Sequence, residues 1–521
     1  MNLRLFHNAW SNLLGAAVPA LVALATVPLV VAGLGEAGYG VYALVTAIVG
    51  YFAVIDINVT AGSVKFISAQ HARGEHEQVA ETLCFGLAVY GAIGALGALG
   101  LHACAELFVT RVFTVSAGLA NEAIACLRLA ALGFLLGQLQ SYLHSVPQAL
   151  MRFDVSSRLE ILFGTLVPLL TVAVLLLGGG LFEVIGLRVA ASGAHCLVLW
   201  RRVGQLLPGL GWRWPGRQLR GGILGFSAYS FLSRFATLSY AHGDKLIIGS
   251  LVGVTGLAYF SVAATLANRV LGLTFRLSGV FFPAASALAA GGELARLERA
   301  YLKATRYVVY LNAAMLVLLA VFAHSLLAWW MGAAFADGGA TVLAVMALSQ
   351  FIDSLTSLPS LVNDGMGHPR LSGLFAVARA LVGLAIVYAG VARWGIDGAA
   401  WGHLAASIVF TSAFLLVVHG RTVPTRLARL CAHGYLPGFG AAAGAALVAN
   451  GFDACCGRTA SGFALSLAAT AGLLALLGMV FVVEAEDRRW AWALFKSRAG
   501  ARAKARVKAQ AGPQPGPPGG G

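Results

Sequence analysis

Residues 30–42 read VVAGLGEAGYGVY, and this stretch decides the fold. It contains the G-x-G-x-x-G pattern of a dinucleotide-binding turn, at Gly33, Gly35 and Gly38. Asp56 follows about where a ribose-binding carboxylate would lie, but the motif counts only between a short strand and an amphipathic helix. Here residues 8–35 form one run without Asp, Glu, Lys or Arg, and residues 41–55 have no polar face. The stretch therefore joins two apolar helices and is not a nucleotide site.

The composition of the whole chain is that of a polytopic membrane protein. Of 521 residues, 59% are hydrophobic and 11% are charged, against about 25% charged residues in ordinary soluble domains. The mean hydropathy is +0.81. The seven cysteines form no C-x-x-C pair, so the sequence predicts neither a metal site nor a bound cofactor.

Apolar runs long enough to cross a bilayer recur along the chain. A helix needs about 20 apolar residues to span the hydrocarbon core. We predict fourteen such helices, near residues 12–33, 41–63, 82–102, 123–146, 159–178, 184–200, 222–242, 254–276, 307–330, 340–362, 371–391, 398–419, 434–451 and 462–484.

The positive charges predict the orientation. If the N-terminus is cytoplasmic, the inner loops and tails hold 26 of the 36 Lys and Arg, and the outer loops hold four. This asymmetry follows the positive-inside rule and predicts both termini in the cytoplasm. The net charge of +15 is then explained by topology and by attraction to anionic lipid, and not by a nucleic-acid site.

An internal repeat relates the two parts of the chain. LGEAGYGVYALV at 34–45 returns as VGVTGLAYFSVA at 252–263, and RGEHEQ at 73–78 returns as GGELAR, both displaced by 218 residues. VAAS at 189–192 returns as LAAS, displaced by 215. Helices 1–6 and 7–12 are therefore predicted to be two copies of one lobe. Six is an even number, so the copies are parallel.

The sequence resembles a known transporter family at this point. NLLGAAVPALVALATVPLVVAGLGEAGYGVYALV (12–45) and DKLIIGSLVGVTGLAYFSVAATL (244–266) are similar to the openings of the two lobes of polysaccharide-biosynthesis flippases. These belong to the multidrug/oligosaccharidyl-lipid/polysaccharide exporter superfamily. The resemblance implies an all-α protein whose two lobes form a V-shaped central cavity. It also implies movement of undecaprenyl-diphosphate-linked oligosaccharides from the inner to the outer leaflet by alternating access.

This interpretation gives the chain five parts and a set of partners. The protein is expected in the bacterial inner membrane, without enzymatic activity, where it meets membrane lipid, the lipid-linked oligosaccharide, and polysaccharide polymerases or glycosyltransferases. The predicted parts are an N-lobe (1–203), a cytoplasmic linker (204–221), a C-lobe (222–420), an extra helix pair (421–485) and a basic, disordered tail (486–521).

Arginines placed inside predicted helices are the candidate substrate-binding residues. A charge at the bilayer centre is costly, about 2.5–3.5 kcal/mol on insertion scales, so it marks a functional candidate. Arg234 lies about 18 Å from the inner end of helix 7, and Arg269 about 22 Å from the outer end of helix 8. With Arg276, two turns further along, they form a ladder suited to a diphosphate, because guanidinium groups bind phosphate oxygens in pairs.

For other residues within the predicted helices, the sequence allows either a functional or a structural role. Arg276 could instead extend to the inner headgroups, Arg128 is undecided, and Arg379 could join the ladder or pair with an acid. Asp353 and Asp56 could carry a coupling ion or neutralise an arginine. The scattered histidines are expected to be fillers, at positions 102, 144, 195, 324 and 403.

Three alternative functions compete with this interpretation. A lipid II flippase would carry the same diphosphate. A cation-coupled drug exporter would need an acidic cavity, whereas the predicted cavity is basic. A polyprenyl-linked glycosyltransferase or polymerase would need a large catalytic outer loop, and the chain lacks D-x-D, G-x-S-x-G, H-E-x-x-H and P-loop motifs.

Overall fold

The computed structural model describes an all-helical chain, without a strand in the described residues. These are residues 3–53, 59–150, 152–208, 211, 213–214, 216–278, 288, 291–423, 425–456 and 459–489. The first half comprises α1 (Leu3–Phe52), α2 (Val59–Ala72), α3 (His76–Leu107), α4 (Ala117–Ala149), α5 (Phe153–Leu176) and α6 (Leu181–Leu206). The second half comprises α7 (Arg217–Leu251), α8 (Val254–Ser278), α9 (Leu294–Val321), α10 (Ala323–Met331), α11 (Ala333–Ser354), α12 (Ser357–Gly365) and α13 (Pro369–Arg421). The extra pair is α14 (Leu436–Cys456) and α15 (Ala460–Leu477).

Two of these helices are double. Helix α1 runs through two predicted spans and is broken at Gly35, where φ is 71° and ψ is 167°. Helix α13 likewise joins two predicted spans across a break at Trp394 and Gly395, and Gly395 has φ 59°. A positive φ is accessible to glycine without a steric penalty, so each break uses the residue that tolerates it.

The predicted spans coincide with helices, and the all-helical membrane fold is confirmed. Each of the fourteen predicted windows falls on helix, although residues 54–58, within the second window, lie outside the described residues. Over the described part, nine helices are long and apolar enough to cross a membrane, and the shorter Val254–Asn268 is apolar as well. The number of crossings, the five boundaries and the orientation stay predictions. The tail from residue 490 also lies outside the described part.

Glycines with positive φ occur at matching positions in the two halves. Gly35 and Gly253 have φ 71° and 99°, and Gly74 and Gly292 have φ 73° and 70°. Both pairs are separated by 218 residues, the displacement found in the sequence. A third match, Gly178 (φ 85°) with Gly395, has a displacement of 217. Two copies of one six-helix unit would produce such matches, and the parallel arrangement of the lobes remains a prediction.

The two halves touch closely where α1 meets α7 and α8. A Cβ atom at Gly40 of α1 would lie 1.9 Å from the carbonyl oxygen of Val254 in α8. A Cβ at Gly50 would lie 2.4 Å from Cε1 of His242 in α7. Only glycine at position 40 permits this backbone approach to Val254, and Gly50 leaves room for the His242 ring.

Polar contacts close the same seam at the end of the bundle that is predicted to face outside. The Tyr259 hydroxyl of α8 donates to Glu36 Oε2 of α1 over 2.5 Å. Thr114, between α3 and α4, donates from Oγ1 to the Ser250 carbonyl over 3.1 Å. Together with Gly40 and Val254, these contacts join the two halves at the predicted outer end.

Helices α14 and α15 pack on the outside of the second half, mainly against α9. A Cβ at Gly438 of α14 would lie 3.3 Å from Cα of Tyr310, and one at Gly478 would lie 2.4 Å from Cε1 of the same tyrosine. The Tyr310 hydroxyl donates to the Leu474 carbonyl. Tyr310 is thus a contact point of α9 for both α14 and the segment after α15.

Candidate functional site

A network of polar side chains lies between α7, α11 and α13 in the second half. Arg379 of α13 is its centre, with Nη2 2.5 Å from Asp353 Oδ2 and 3.1 Å from Ser407 Oγ. Ser407 Oγ lies 2.9 Å from Ser349 Oγ of α11. The guanidinium carbon of Arg379 also lies 4.7 Å from the centre of the Tyr240 ring, a cation–π contact.

The network continues across α7 to a second carboxylate. Arg379 Nη2 donates to the Tyr240 hydroxyl over 3.4 Å, and that hydroxyl lies 3.0 Å from His403 Nδ1. His403 Nε2 lies 3.2 Å from Asp244 Oδ2, and both side chains are buried. Asp244 Oδ1 lies 3.7 Å from Lys245 Nζ. A continuous hydrogen-bonded chain therefore connects the carboxylate of α11 with the carboxylate of α7. We call it the polar network.

Glycines allow the helices of the polar network to approach. A Cβ at Gly383 would lie 2.9 Å from Cε2 of Tyr240, so this glycine makes room for the ring beside Arg379. The two arms of α13 cross at Gly390 and Gly398, where a Cβ on either residue would lie 2.2 or 2.0 Å from the carbonyl oxygen of the other. The break in α13 and this crossing bring His403, on the second arm, back to α7.

Opposite charges are balanced within the polar network. Asp353 and Asp244 carry two negative charges, and Arg379 and Lys245 carry two positive charges. A buried charge is tolerated when it is paired, and an unpaired one strongly destabilises the fold. Asp353 Oδ1 and Arg379 Nε have no hydrogen-bond partner among the described residues. Asp353 Oδ1 can therefore accept one further hydrogen bond, and Arg379 Nε can donate one.

A cavity of about 190 Å³ opens beside the guanidinium of Arg379. It is lined by the hydroxyl groups of Thr356, Ser360, Ser372 and Thr411 and by the aromatic rings of Phe375, Phe410 and Phe414. A lining of hydroxyls, rings and one cation suits a polar ligand that also has an apolar part.

A corresponding cavity of about 300 Å³ lies between α4, α5 and α6 in the first half. Its wall includes Gly164, which the displacement of 215 pairs with Arg379. His195 is 6% exposed, and its Nδ1 accepts a hydrogen bond from Gln140 Nε2 over 3.0 Å. The Nε2 of His195 has no partner in the described part. The Phe163 ring stacks on it at 4.1 Å. The position that Arg379 fills in the second half is thus a glycine in the first, where a Cβ atom would lie 2.9 Å from Cβ of Pro19.

The three arginines of the predicted ladder belong to helices that the structure describes, but their side chains lie outside the described part. Arg234 is eight residues from His242, so its Cα lies within about 80° of the side of α7 that contacts α1. Arg269 is fifteen residues from Val254, so its Cα lies within about 60° of the side of α8 that contacts α1. Both positions therefore lie within a quarter turn of the sides that contact α1, and their place at the seam stays a prediction. Arg276 follows Arg269 by two turns on the same side.

The other predicted site residues have different surroundings. Arg128 of α4 is exposed, and its Nη2 lies 3.8 Å from Glu106 Oε2, which is also exposed. Arg379 and Asp353 pair with each other, the structural alternative that the sequence left open for both. Asp56 lies outside the described residues. Arg188, another embedded arginine, contacts the Tyr42 hydroxyl and ring.

Sequence reasoning missed half of the polar network. His403 was expected to be a filler, and Asp244 and Tyr240 were not singled out. Asp244 lies just beyond the predicted span 222–242, which is why it was treated as a loop residue. Helix α7 (Arg217–Leu251) extends beyond the predicted span and contains a single carboxylate, Asp244. A carboxylate so close to the end of an apolar span is the signal that could have identified it. No group of three metal-ligating side chains occurs in the part of the chain that the structure describes.

Comparison with known proteins identifies the family. A family profile described as polysaccharide biosynthesis protein matches residues 34–338, more than half of the chain. The chain belongs to this family. A curated relative, the putative O-antigen transporter of Shigella flexneri, is 20% identical over 412 residues, which cover 76% of this chain and 92% of the relative.

Solved structures share the fold of this polysaccharide biosynthesis protein. The lipid II flippase MurJ in an inward closed conformation superposes with a TM-score of 0.71 at 11% identity, over 90% of this chain and 98% of that one. An inward-facing multidrug resistance MATE family transporter of the MOP superfamily superposes with a TM-score of 0.61 at 16% identity. The match covers 79% of this chain and 94% of that one. The chain is an all-helical, multi-pass membrane protein with this fold. The family match includes Arg234, Arg269 and Asp244 and ends before Asp353.

Proposed function

We propose that this polysaccharide biosynthesis protein moves a polyprenyl-diphosphate-linked oligosaccharide from the inner to the outer leaflet of the bacterial inner membrane. The observation that carries the proposal is the match of residues 34–338 to the polysaccharide biosynthesis family, a range that includes Arg234 and Arg269 on the apolar helices α7 and α8. The curated relative supports it, since that protein is named as a putative O-antigen transporter. Glycosyltransferases that build the glycan and a polymerase that uses it are the expected partners.

The close seam at one end supports an alternating-access mechanism. The halves meet at Gly40 and Val254 and at Glu36 and Tyr259, and all four residues lie at the predicted outer end. The halves also touch at the predicted inner end, where Ile223 of α7 shares a buried apolar cluster with Val59 and Ile67 of α2. Opening the contacts at one end while those at the other end hold would expose the site to one leaflet at a time.

The ladder would hold the diphosphate in this cleft. Arg234, Arg269 and Arg276 provide cations from the middle of the membrane to its inner surface, on sides predicted to face the seam. Arginine binds phosphate oxygens through two parallel N–H groups and remains charged in a poorly solvated site. The sugars would contact water in the cleft, while the polyprenyl chain would remain in the bilayer.

Substitution of Arg234 tests this proposal. We expect Arg234→Ala to abolish transport without lowering the amount of inserted protein, because an embedded charge opposes insertion. Lysine should restore transport only in part, since it keeps the charge and loses the paired N–H groups. The measurement is the accumulation of undecaprenyl-linked glycan on the cytoplasmic leaflet. Arg421→Ala, at the end of α13, is the control with the same charge change.

Normal surface polysaccharide in cells with the double variant Arg234→Ala, Arg269→Ala would rule out these residues as the anchor. The same cells distinguish the lipid II alternative. If the protein carries lipid II, it should sustain growth when the resident lipid II flippase is depleted; if it carries another glycan, it should not.

A further inference from the structure

One face of α9 carries four cations in a row, outside the site described above. Arg296, Arg299, Lys303 and Arg306 are spaced by three, four and three residues, so they lie on the same side of the helix over about 15 Å. Like charges at this spacing destabilise a helix by a few tenths of a kcal/mol per pair. The repulsion within this row therefore needs to be offset by negative groups on another element.

The end of the extra helix pair compensates two of the four cations. Lys303 Nζ lies 2.7 Å from Asp487 Oδ2 and 3.3 Å from Glu484 Oε2. Arg306 donates from Nη2 to the Phe481 carbonyl, and its Nε is buried without a partner among the described residues. Lys303 and Arg306 thus attach the segment after α15 to α9.

The other two cations have weaker partners. Arg296 pairs with Glu293, 3.0 Å away on the same helix, and both side chains are more than half exposed. Arg299 is exposed and donates from Nε to the Ala295 carbonyl of its own helix over a long 3.4 Å. Exposed pairs of this kind contribute little to stability, so both guanidinium groups can bind a ligand.

A cavity of about 520 Å³ lies between these cations and the extra pair. The four cations and His433 line it together with Glu484 and Glu486. Glu293 and Asp487, the partners of Arg296 and Lys303, balance two of the cations from outside the lining. Arg299 and Arg306 donate to backbone carbonyls and have no carboxylate partner in the described part, so they favour an anion in the cavity. Its position, where α9 enters its apolar part, is at the boundary between the headgroups and the hydrocarbon core.

An apolar surface adjoins the cavity on the extra pair. Leu476, Met479, Val480 and Phe481 are 60%, 48%, 49% and 58% exposed, just before Glu484. A soluble anion would make no use of this surface, whereas the acyl chains of a lipid would cover it. A cationic cavity between helices at the cytoplasmic boundary has the properties of an anionic-lipid site.

We propose that the cavity between α9 and the segment after α15 binds the phosphate headgroup of an anionic phospholipid, with Arg296 and Arg299 as phosphate ligands and the end of α15 along the acyl chains. Bound lipid holds the extra helix pair on the second half. The proposal is independent of which glycan the protein transports.

The test compares lipids on the purified full-length protein. Dioleoylphosphatidylglycerol should raise the thermal unfolding midpoint above its value in dioleoylphosphatidylcholine, and native mass spectrometry should show retained phosphatidylglycerol. The double variant Arg296→Gln, Arg299→Gln should bind phosphatidylglycerol about tenfold more weakly or worse. Among the described residues, Arg296 pairs only with the neighbouring Glu293 and Arg299 donates only to the Ala295 carbonyl, so the variant should fold.

The matched control is Arg201→Gln, Arg202→Gln at the end of α6, which removes two exposed arginines on the same predicted side. This variant should keep the full phosphatidylglycerol effect. Equal affinity in the two double variants would overturn the proposal, because general attraction to the surface charge would then explain binding. A shift of equal size with glycerol 3-phosphate alone would also overturn it, since the ligand would then be a soluble phosphate and not a lipid.

Discussion

Arg379 and Asp353 illustrate how a charge is kept inside an apolar helix bundle. Their side chains are 22% and 18% exposed, and the guanidinium group is shared between the carboxylate, a hydroxyl and an aromatic ring. The corresponding position in the first half is Gly164, beside a cavity that has no arginine at this position.

Removal of either partner of this pair should destabilise the protein. Arg379→Leu leaves Asp353 without its counterion, and breaking a buried pair in this way costs about 3–5 kcal/mol, less for a partly exposed pair. The double variant Arg379→Leu, Asp353→Leu should be more stable than either single variant, because no charge is left unpaired. If Asp353 participates in coupling, the double variant should regain stability but should still fail to transport the glycan.

Thermal unfolding of the purified variants measures the change in stability, and glycan export measures the change in transport. Asp154→Asn, which removes an exposed pair with Arg152 at 2.9 Å, is the control, and it should change stability by less than about 1 kcal/mol. Full transport by the double variant would show that the pair is only structural.

At the scale of elements, two helices depart from the predicted spans. The apolar windows 12–33 and 41–63 predict separate helices, and α1 joins them through Gly35; α13 does the same through Gly395. Hydropathy finds where a chain crosses the bilayer, but the shape of the connection depends on one φ angle. The sequence could indicate it only by the presence of glycine.

The segment after α15 should be held on α9 in a pH-dependent manner. Hydrogen bonds from Lys303 and Tyr307 lower the pKa of the Asp487 carboxyl below its ordinary value. Because the folded pKa is the lower one, the contact stabilises the segment above the unfolded pKa, near about 4. That stabilisation is lost as the pH falls through the folded value.

We therefore expect Asp487→Asn to speed amide hydrogen exchange across residues 484–489 at pH 7, and to have no effect below the folded pKa of Asp487. Hydrogen–deuterium exchange with mass spectrometry measures this. Glu486→Gln is the matched control, because Glu486 is exposed and forms no ion pair within the described ranges. Equal acceleration by both substitutions would contradict the assignment to Asp487.

At the scale of the whole molecule, the seam between the halves determines which side of the membrane reaches the site. Alternating access requires the contact between Glu36 and Tyr259 to open during each cycle. In a variant without the seven native cysteines, Glu36→Cys and Tyr259→Cys joined by a short, reducible thiol cross-linker should stop transport. Reduction of the cross-link should restore it.

Ser325→Cys and Asp453→Cys form the matched pair. The parent side chains lie 3.0 Å apart, both outside the first half, so the same cross-linker should leave transport intact. Continued glycan export with the cross-link across the seam would contradict alternating access between these halves.

The amino-acid sequence by itself determined the membrane class, the positions of the helices, the family resemblance and the repeat. These properties follow from sums over neighbouring residues: transfer of a helix into lipid depends on its own side chains. The polar network was decided by the tertiary structure alone. Asp244, Asp353, Arg379 and His403 are separated by at least 24 residues, and their pairing depends on how α7 and α11 pack against the two arms of α13. An embedded charge is costly wherever it lies in the sequence, but only packing decides which partner neutralises it.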